Sequence, residues 1–263
     1  MPFKKHGFLG KEAKKVRDRL RTDHEQIFLL VDQVNEFTNG TVSTIVINPD
    51  DLQECLIGCL LAKIMHSFNS AVILAQYGLE SDCNTILRSL LETLFIFQGV
   101  YYDKNLAVQY ILSEKPDQLR YANVILSDKN ISKFFNKKQI ANIKKNKKSL
   151  EKELASKGIK SLSTEEWSKK AKLHSVYQTA YRILSKDVHA GPFSLERFLN
   201  LDDNKKLKSI KLGPSTTDIN RNLCMAAGIM LGVVEIMCEL KKINKTRKIK
   251  MFKKKLKALE GKG

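Results

Sequence analysis

The sequence predicts an all-α fold: a helical bundle with a lysine-rich helical insertion and a long C-terminal helix. Three observations carry this. Long apolar-rich segments run between helix start and stop signals: Asn48-Pro49-Asp50-Asp51, Gly78, Ser163-Thr164-Glu165-Glu166 and Gly191-Pro192. Hydrophobic residues make up 43% of 263, enough to bury a core in one large domain or two small ones. Charge is concentrated in blocks rather than spread along the chain.

The elements follow in order. Lys11 to about Phe37 reads as a first helix, basic at its start and apolar at Ile27-Phe28-Leu29-Leu30-Val31. Residues 38–49 read as a loop. Asn48 to Asp51 open a second helix that runs to Tyr77 and stops at Gly78, and its apolar run places it centrally. Ser81 or Asp82 caps a third helix carrying Ile86-Leu87-Arg88-Ser89-Leu90-Leu91-Glu92. Shorter helices follow near 104–113 and 117–127, with Pro116 between them. Residues 133–160 read as a protruding helical hairpin or mobile insertion. The capping box at Ser163 starts a helix of about 164–190. Residues 199–216 read as a polar loop. Thr217 or Asp218 caps a last long helix to about 242, and a basic tail of 243–263 follows, frayed or amphipathic. The organisation is 1–49, a basic helix and loop; 50–242, the bundle, with 133–160 inserted; and 243–263, the tail.

The net charge is +18, and it is uneven. Residues 1–21, 133–160 and 241–263 together hold 29 basic and 5 acidic groups, leaving 17 basic and 23 acidic elsewhere. Such blocks favour polyanions, nucleic acid before acidic membrane; the alternative is a solvated lysine-rich surface. Lys137, Lys138, Lys144, Lys145, Lys147 and Lys148 are the candidate RNA-backbone contacts. The start of the chain has no apolar signal-peptide core, and the longest apolar run, Leu223 to Val234, is too short to span a bilayer. Five Cys cannot all pair, and Cys55 and Cys59 read as buried thiols. No Cys/His cluster suits zinc. The reading is a reduced, cytoplasmic protein with no metal, no cofactor and no stable membrane insertion. A Gly-rich phosphate loop, HExxH and GxSxG are all missing, so NTPase, zincin and hydrolase readings lack support.

The chemistry sits in Tyr181-Arg182-Ile183-Leu184-Ser185-Lys186-Asp187-Val188-His189. Seven residues at about 100° each put Arg182 and His189 on one helix face, with Ser185 between them. A guanidinium grips phosphate bidentately, and an imidazole transfers protons near neutrality. The alternative is that both side chains bond helix-terminal carbonyls. A similar spacing at Arg17 or Arg19 with His24 lies in a charged segment expected to face water. Arg88 and Glu92, one turn apart among apolar residues, either lock two helices or orient the Arg182–His189 pair. Tyr177 and Tyr181 stack on a base or pack in the core. His66 reads as a core histidine, His174 as a helper or an exposed residue, and Trp167 as an anchor.

The LRSLLE run after Gly78, followed by the YRILSKDVH motif, resembles a bacterial family of unknown function that is similar to the HEPN superfamily, over about residues 50–240. The resemblance implies a HEPN-like helical bundle, often dimeric, and a metal-independent RNase in which an Arg and a following His act on RNA. Those residues correspond to Arg182 and His189. Ile183 stands where active members usually have a polar residue. The expectation is an endoribonuclease of a bacterial defence or toxin system. Arg182, His189 and Ser185 would be catalytic, with Arg88, Glu92 and Tyr181 supporting. The partners would be RNA, a second copy of the chain, and a protein partner or antitoxin. The alternatives are a non-catalytic RNA- or protein-binding adaptor, and a peripheral membrane effector using Lys248–Leu259 as a basic amphipathic helix.

Overall fold

A computed structural model of the protein describes residues 6–157, 161–188 and 191–260, and it is all-α apart from one two-stranded hairpin. The chain opens with α1 (Glu12–Asp23) and α2 (Glu25–Val42). The single helix expected from Lys11 to about Phe37 is therefore two. They meet at His24, where the backbone leaves helical geometry and Nδ1 lies 2.9 Å from Asn220 Oδ1. The loop expected over 38–49 begins as helix instead. Phe37, Thr38 and Thr41 are buried, and Thr41 donates to the Phe37 carbonyl at 2.8 Å. Burial overrides the weak helix propensity of this Thr/Asn/Gly run.

α3 (Leu52–Gln76) and α4 (Glu80–Tyr102) form an antiparallel pair with the most extensive packing between any two of the described helices. Asp51 caps α3 by accepting from the Glu54 N–H at 3.1 Å. Gly78 ends it at φ +69°, while the Leu79 and Gly78 N–H groups donate to the carbonyls of Leu74 and Ala75, both at 3.0 Å. A Cβ at Gly78 would also lie 2.6 Å from Pro214 Cβ, so this turn requires glycine twice over. Leu79, not Ser81 or Asp82, stands at the N-cap of α4.

α5 (Asn105–Ser113), α6 (Lys115–Ser127), α7 (Lys129–Ser132) and α8 (Lys137–Lys157) follow. Pro116 lies in the first turn of α6 rather than between helices, where its missing N–H costs nothing. The lysine-rich segment folds as α8, which lies along α6 and is tied to it by the Lys115–Glu153 ion pair.

α9 (Thr164–Lys170) starts in the expected capping box, with Ser163 Oγ accepting from the Glu166 N–H and Glu166 accepting from the Ser163 N–H. The helix expected over 164–190 does not continue. Lys172 adopts φ +58°, and the Leu173 N–H closes the turn on the Ser168 carbonyl at 2.8 Å. The chain resumes as α10 (His174–Val176), a π-helical turn (Tyr177–Tyr181) and α11 (Arg182–Val188). Trp167 is buried, its ring against Gly99 and 5.9 Å from that of Tyr110.

After α12 (Pro192–Glu196), the loop expected over 199–216 contains a hairpin, β1 (Leu199–Leu201) and β2 (Leu207–Ile210), paired Leu199 to Ile210 and Asn200 to Ser209. Asp202 builds its turn by accepting from the Asn204 and Lys206 N–H groups at 3.0 and 2.8 Å. α13 (Ile219–Leu240) packs on α2, α3 and α4 and on α14 (Thr246–Glu260). Asp218 stands at its N-cap, but its carboxylate pairs with Arg221 at 2.8 Å instead of capping a backbone N–H.

Among its described residues the basic tail is helical over Thr246–Glu260. Its apolar residues Ile249, Phe252 and Leu256 are buried in the main core, so that face is not presented to a bilayer. α3 and α13 are each long and apolar enough to cross a membrane by length and composition, and both contribute to this core. Two expectations are corrected by which face of α3 turns outward: Cys59 and His66 are exposed. The buried thiols are Cys83, Cys224 and Cys238, and burial pushes that of Cys83 up to about 12, well away from nucleophilic chemistry.

Candidate functional site

Four polar residues recur every fourth position along α4: Glu80, Asn84, Arg88 and Glu92. Four residues advance about one turn, so the side chains form a slowly winding stripe some 18 Å long on the helix. The π-helical turn, α11 and the segment after them supply a partner to each.

At one end Arg88 donates through Nη2 to Tyr181 Oη at 2.7 Å and through Nε to Ser185 Oγ at 3.0 Å. Its guanidinium carbon lies 4.9 Å from the Tyr181 ring centroid, and it pairs with Glu92 at 3.1 Å. Tyr181 passes its own proton to Glu92 Oε1 at 2.8 Å. Burial, then the neighbouring Glu92 carboxylate, raise the Tyr181 hydroxyl above its ordinary range. Ser185 donates to the Tyr181 carbonyl at 2.7 Å, so its proton is committed within the helix.

At the other end Asn84 donates to Asp187 Oδ2 at 2.7 Å and accepts from Asn222 Nδ2 at 2.7 Å. Arg197 bridges Asp187 at 2.7 Å and Glu80 at 3.2 Å. Glu80 also accepts from Ser215, whose N–H bonds the Gly78 carbonyl at 2.9 Å. Burial raises the Glu80 carboxyl above its ordinary range, against the opposing pull of Ser215 and Arg197. The side chains of Asp187 and Glu80 are only 5% and 6% exposed, so these charges stand only because they are paired.

The exposed face of the same helical run carries different chemistry. Arg182 is exposed and donates through Nη1 to Gln178 Oε1 at 3.0 Å. Gln178 Nε2 lies 3.2 Å from His174 Nε2, and His174 Nδ1 lies 3.4 Å from Ser168 Oγ. In a regular α-helix, positions eight apart point about 80° away from each other. The π-helical turn absorbs one additional residue, which removes most of that offset and aligns His174 with Arg182. The rings of His174, Tyr177 and Tyr181 stack in sequence, at 5.9 and 5.0 Å between centroids.

The expected supporting residues Arg88, Glu92 and Tyr181 therefore meet, and they hold Ser185. Arg182 bonds Gln178 instead of that cluster, and this partner was not anticipated. His189 lies outside the described residues. Lys137, Lys138, Lys144, Lys145 and Lys148 are exposed on α8; Lys147 is half-buried beside Glu151 at 3.6 Å. His24, in the other Arg/His match, is half-buried at the α1–α2 joint. Sequence reasoning missed Glu80, Asn84, Asp187, Arg197 and Asn222. The fourfold spacing that joins Glu80 and Asn84 to Arg88 and Glu92 was the available signal. Among the described residues no group of three or more His, Cys, Asp or Glu is placed to hold a metal ion.

The sequence pattern of a family described as "Family of unknown function (DUF5677)" matches residues 54–207, which contain the whole polar stripe and both faces of the 174–188 run. No curated protein and no solved structure matches the chain.

Proposed function

The chain belongs to the DUF5677 family, whose description assigns no activity, and from its geometry we propose a HEPN-like, metal-independent endoribonuclease of a bacterial defence or toxin system. One observation carries the reading. Arg182 projects into solvent from a helix whose buried side is anchored by Arg88, Glu92, Tyr181 and Ser185. A rigid support that presents a guanidinium to solvent is what phosphate recognition requires.

In this reading Arg182 holds the scissile phosphodiester and stabilises the charge that builds on its oxygens. The RNA 2′-oxygen attacks phosphorus and gives up its proton to a base. The bond to the 5′-oxygen breaks, and that oxygen takes a proton from an acid. The products are a 2′,3′-cyclic phosphate and a 5′-hydroxyl. His189 supplies one of the two proton transfers. Ser185, its proton held by Tyr181, positions the helix. A two-fold dimer would supply a second His189. The lysines of α8 and α14 hold the RNA backbone.

The test is cleavage of total RNA in EDTA by wild type, Arg182→Ala and His189→Ala. Each variant is expected to lose about 100-fold or more. Equal cleavage by all three proteins would refute the reading. The second reading, a non-catalytic RNA- or protein-binding adaptor, is favoured by Ile183, which is apolar and 52% exposed beside Arg182. It predicts salt-sensitive RNA binding that survives Arg182→Ala, with no cleavage.

A further inference from the structure

A chain of polar contacts runs from Arg182 through Gln178 and His174 to Ser168. Gln178 Oε1 accepts from Arg182, so Gln178 Nε2 faces His174 Nε2. An amide N–H donates to that ring nitrogen only when the nitrogen carries no proton. Ser168 Oγ spends its own proton on the Glu165 carbonyl at 2.7 Å, which leaves it able to accept from His174 Nδ1–H. A neutral His174 with its proton on Nδ1 satisfies both contacts. In this state Gln178 is a bridge: one end binds the imidazole, and the other occupies the arginine.

Adding a proton to His174 Nε2 turns an acceptor into a donor. The Gln178 amide then faces it with the wrong group and must turn over, bringing its NH2 toward Arg182, which cannot accept. Turned over, Gln178 Oε1 accepts from His174 Nε2–H, so the bond to Arg182 is the one that is lost. Arg182 is left without its acceptor, and a single anion whose two oxygens displace the Gln178 amide can satisfy both groups.

We infer that His174, Gln178 and Arg182 form a proton-gated phosphodiester-binding site, closed by Gln178 when His174 is neutral and open to the ester oxygens when it is charged. The ligand class rests on the nuclease reading; the gate rests on the bonds themselves.

The surroundings fit this assignment. From α9, Glu165 and Lys169 are the charged neighbours, paired at 2.7 Å. Lys169 holds the Glu165 carboxyl below the usual carboxylate range, and His174 and Arg182 add to the effect. On the run itself, the charged or titratable neighbours are Arg182 and Tyr177, whose ring lies nearly parallel to that of His174. From α4 the facing group is the uncharged ring of Phe95, 6.5 Å from Tyr177.

The experiment follows the arginine Nε–H and histidine ring signals of the full chain by NMR while dimethyl phosphate is added at constant ionic strength. This ester stays a monoanion at about pH 5.5 and about pH 8, either side of the range in which imidazoles titrate. Wild type is expected to bind about five- to tenfold more tightly at the lower pH, the effect of one added charge-assisted hydrogen bond at a partly exposed site. His174→Ala and His174→Gln should both reduce that ratio to near one. Gln178→Ala should reduce it by strengthening binding at the higher pH. Arg182→Ala should abolish binding at both.

An unchanged ratio in the two His174 variants would overturn the gate, and retained binding in Arg182→Ala would overturn the site. Thermal unfolding of each variant checks that it is folded. Cleavage assays separate the two ideas. Ester binding as described with RNA left intact supports the site and defeats the nuclease reading. RNA cleavage with pH-independent ester binding defeats the gate and leaves that reading standing.

Discussion

The run from His174 to Val188 has two faces held by different chemistry. The inner face carries Tyr181, Ser185 and Asp187, each bonded to α4 or to Arg197 and each at least half-buried. The outer face carries Gln178 and Arg182, both exposed, with the half-buried His174 at its end, linked by bonds within the run. Buried charges have no water to fall back on, so the inner groups must keep their partners. The outer groups can exchange theirs for solvent or a ligand at little cost. One helix is therefore a fixed mount on one side and an adjustable surface on the other.

The sharpest way to break the contrast is Asp187→Ala. It leaves Arg197 and Asn84 without a shared acceptor, and the expected loss is about 3 kcal/mol of unfolding free energy in a urea titration. A loss below about 1 kcal/mol would mean that the inner face is not the mount.

Tyr181→Phe removes the hydroxyl between Arg88 and Glu92 but leaves their pairing, at a cost of about 1 kcal/mol. It should also change the alkaline limb. The Tyr181 hydroxyl is raised by burial first, so the folded state keeps its proton above the ordinary tyrosine range near 10 while the unfolded chain releases it. Stability present below about pH 10 is lost as the pH rises through the folded value. Melting temperatures of the variant should fall less steeply there than those of wild type.

Lys242 holds φ +54° at the end of α13, where the Ile243 N–H closes on the Cys238 carbonyl at 2.8 Å. Lys242→Gly should stabilise by about 0.5–1 kcal/mol, because glycine enters this region without a steric penalty. It is the control: a stabilising change far from both faces, which should leave RNA cleavage as it was.

Smallest in stability is Arg182→Ala, expected within about 0.5 kcal/mol of wild type because the side chain is exposed. If its melting curve dropped as far as that of Asp187→Ala, the outer face would be structural and the contrast would fail.

Local signals were legible where the residue that makes the turn is also the residue that advertises it. The Ser163–Glu166 box, the Asp51 cap and the Gly78 stop all belong to this class. The break at Lys172 was not legible, because a lysine in the left-handed region carries no glycine or asparagine flag. The hairpin over 199–210 was hidden in a polar segment with little alternation. Arg88 and Glu92 drew notice as charges among apolar neighbours, and they do meet Tyr181 and Ser185. Glu80 and Asn84 escaped because they stand at the polar start of α4, where such residues are ordinary.

The chain's own residues determined that it folds as helices, where several of them begin and end, and that its basic groups fall in blocks, because caps, stops and charge act over a few neighbours. Only the tertiary structure decided which side of each helix faces inward. It also decided that Arg182 pairs with Gln178 rather than with the Arg88 cluster, and that a π-helical turn aligns His174 with it. Those outcomes depend on how α4, α9 and α11 pack at long sequence separation, and a one-residue change in helical register rotates every following side chain by about 100°.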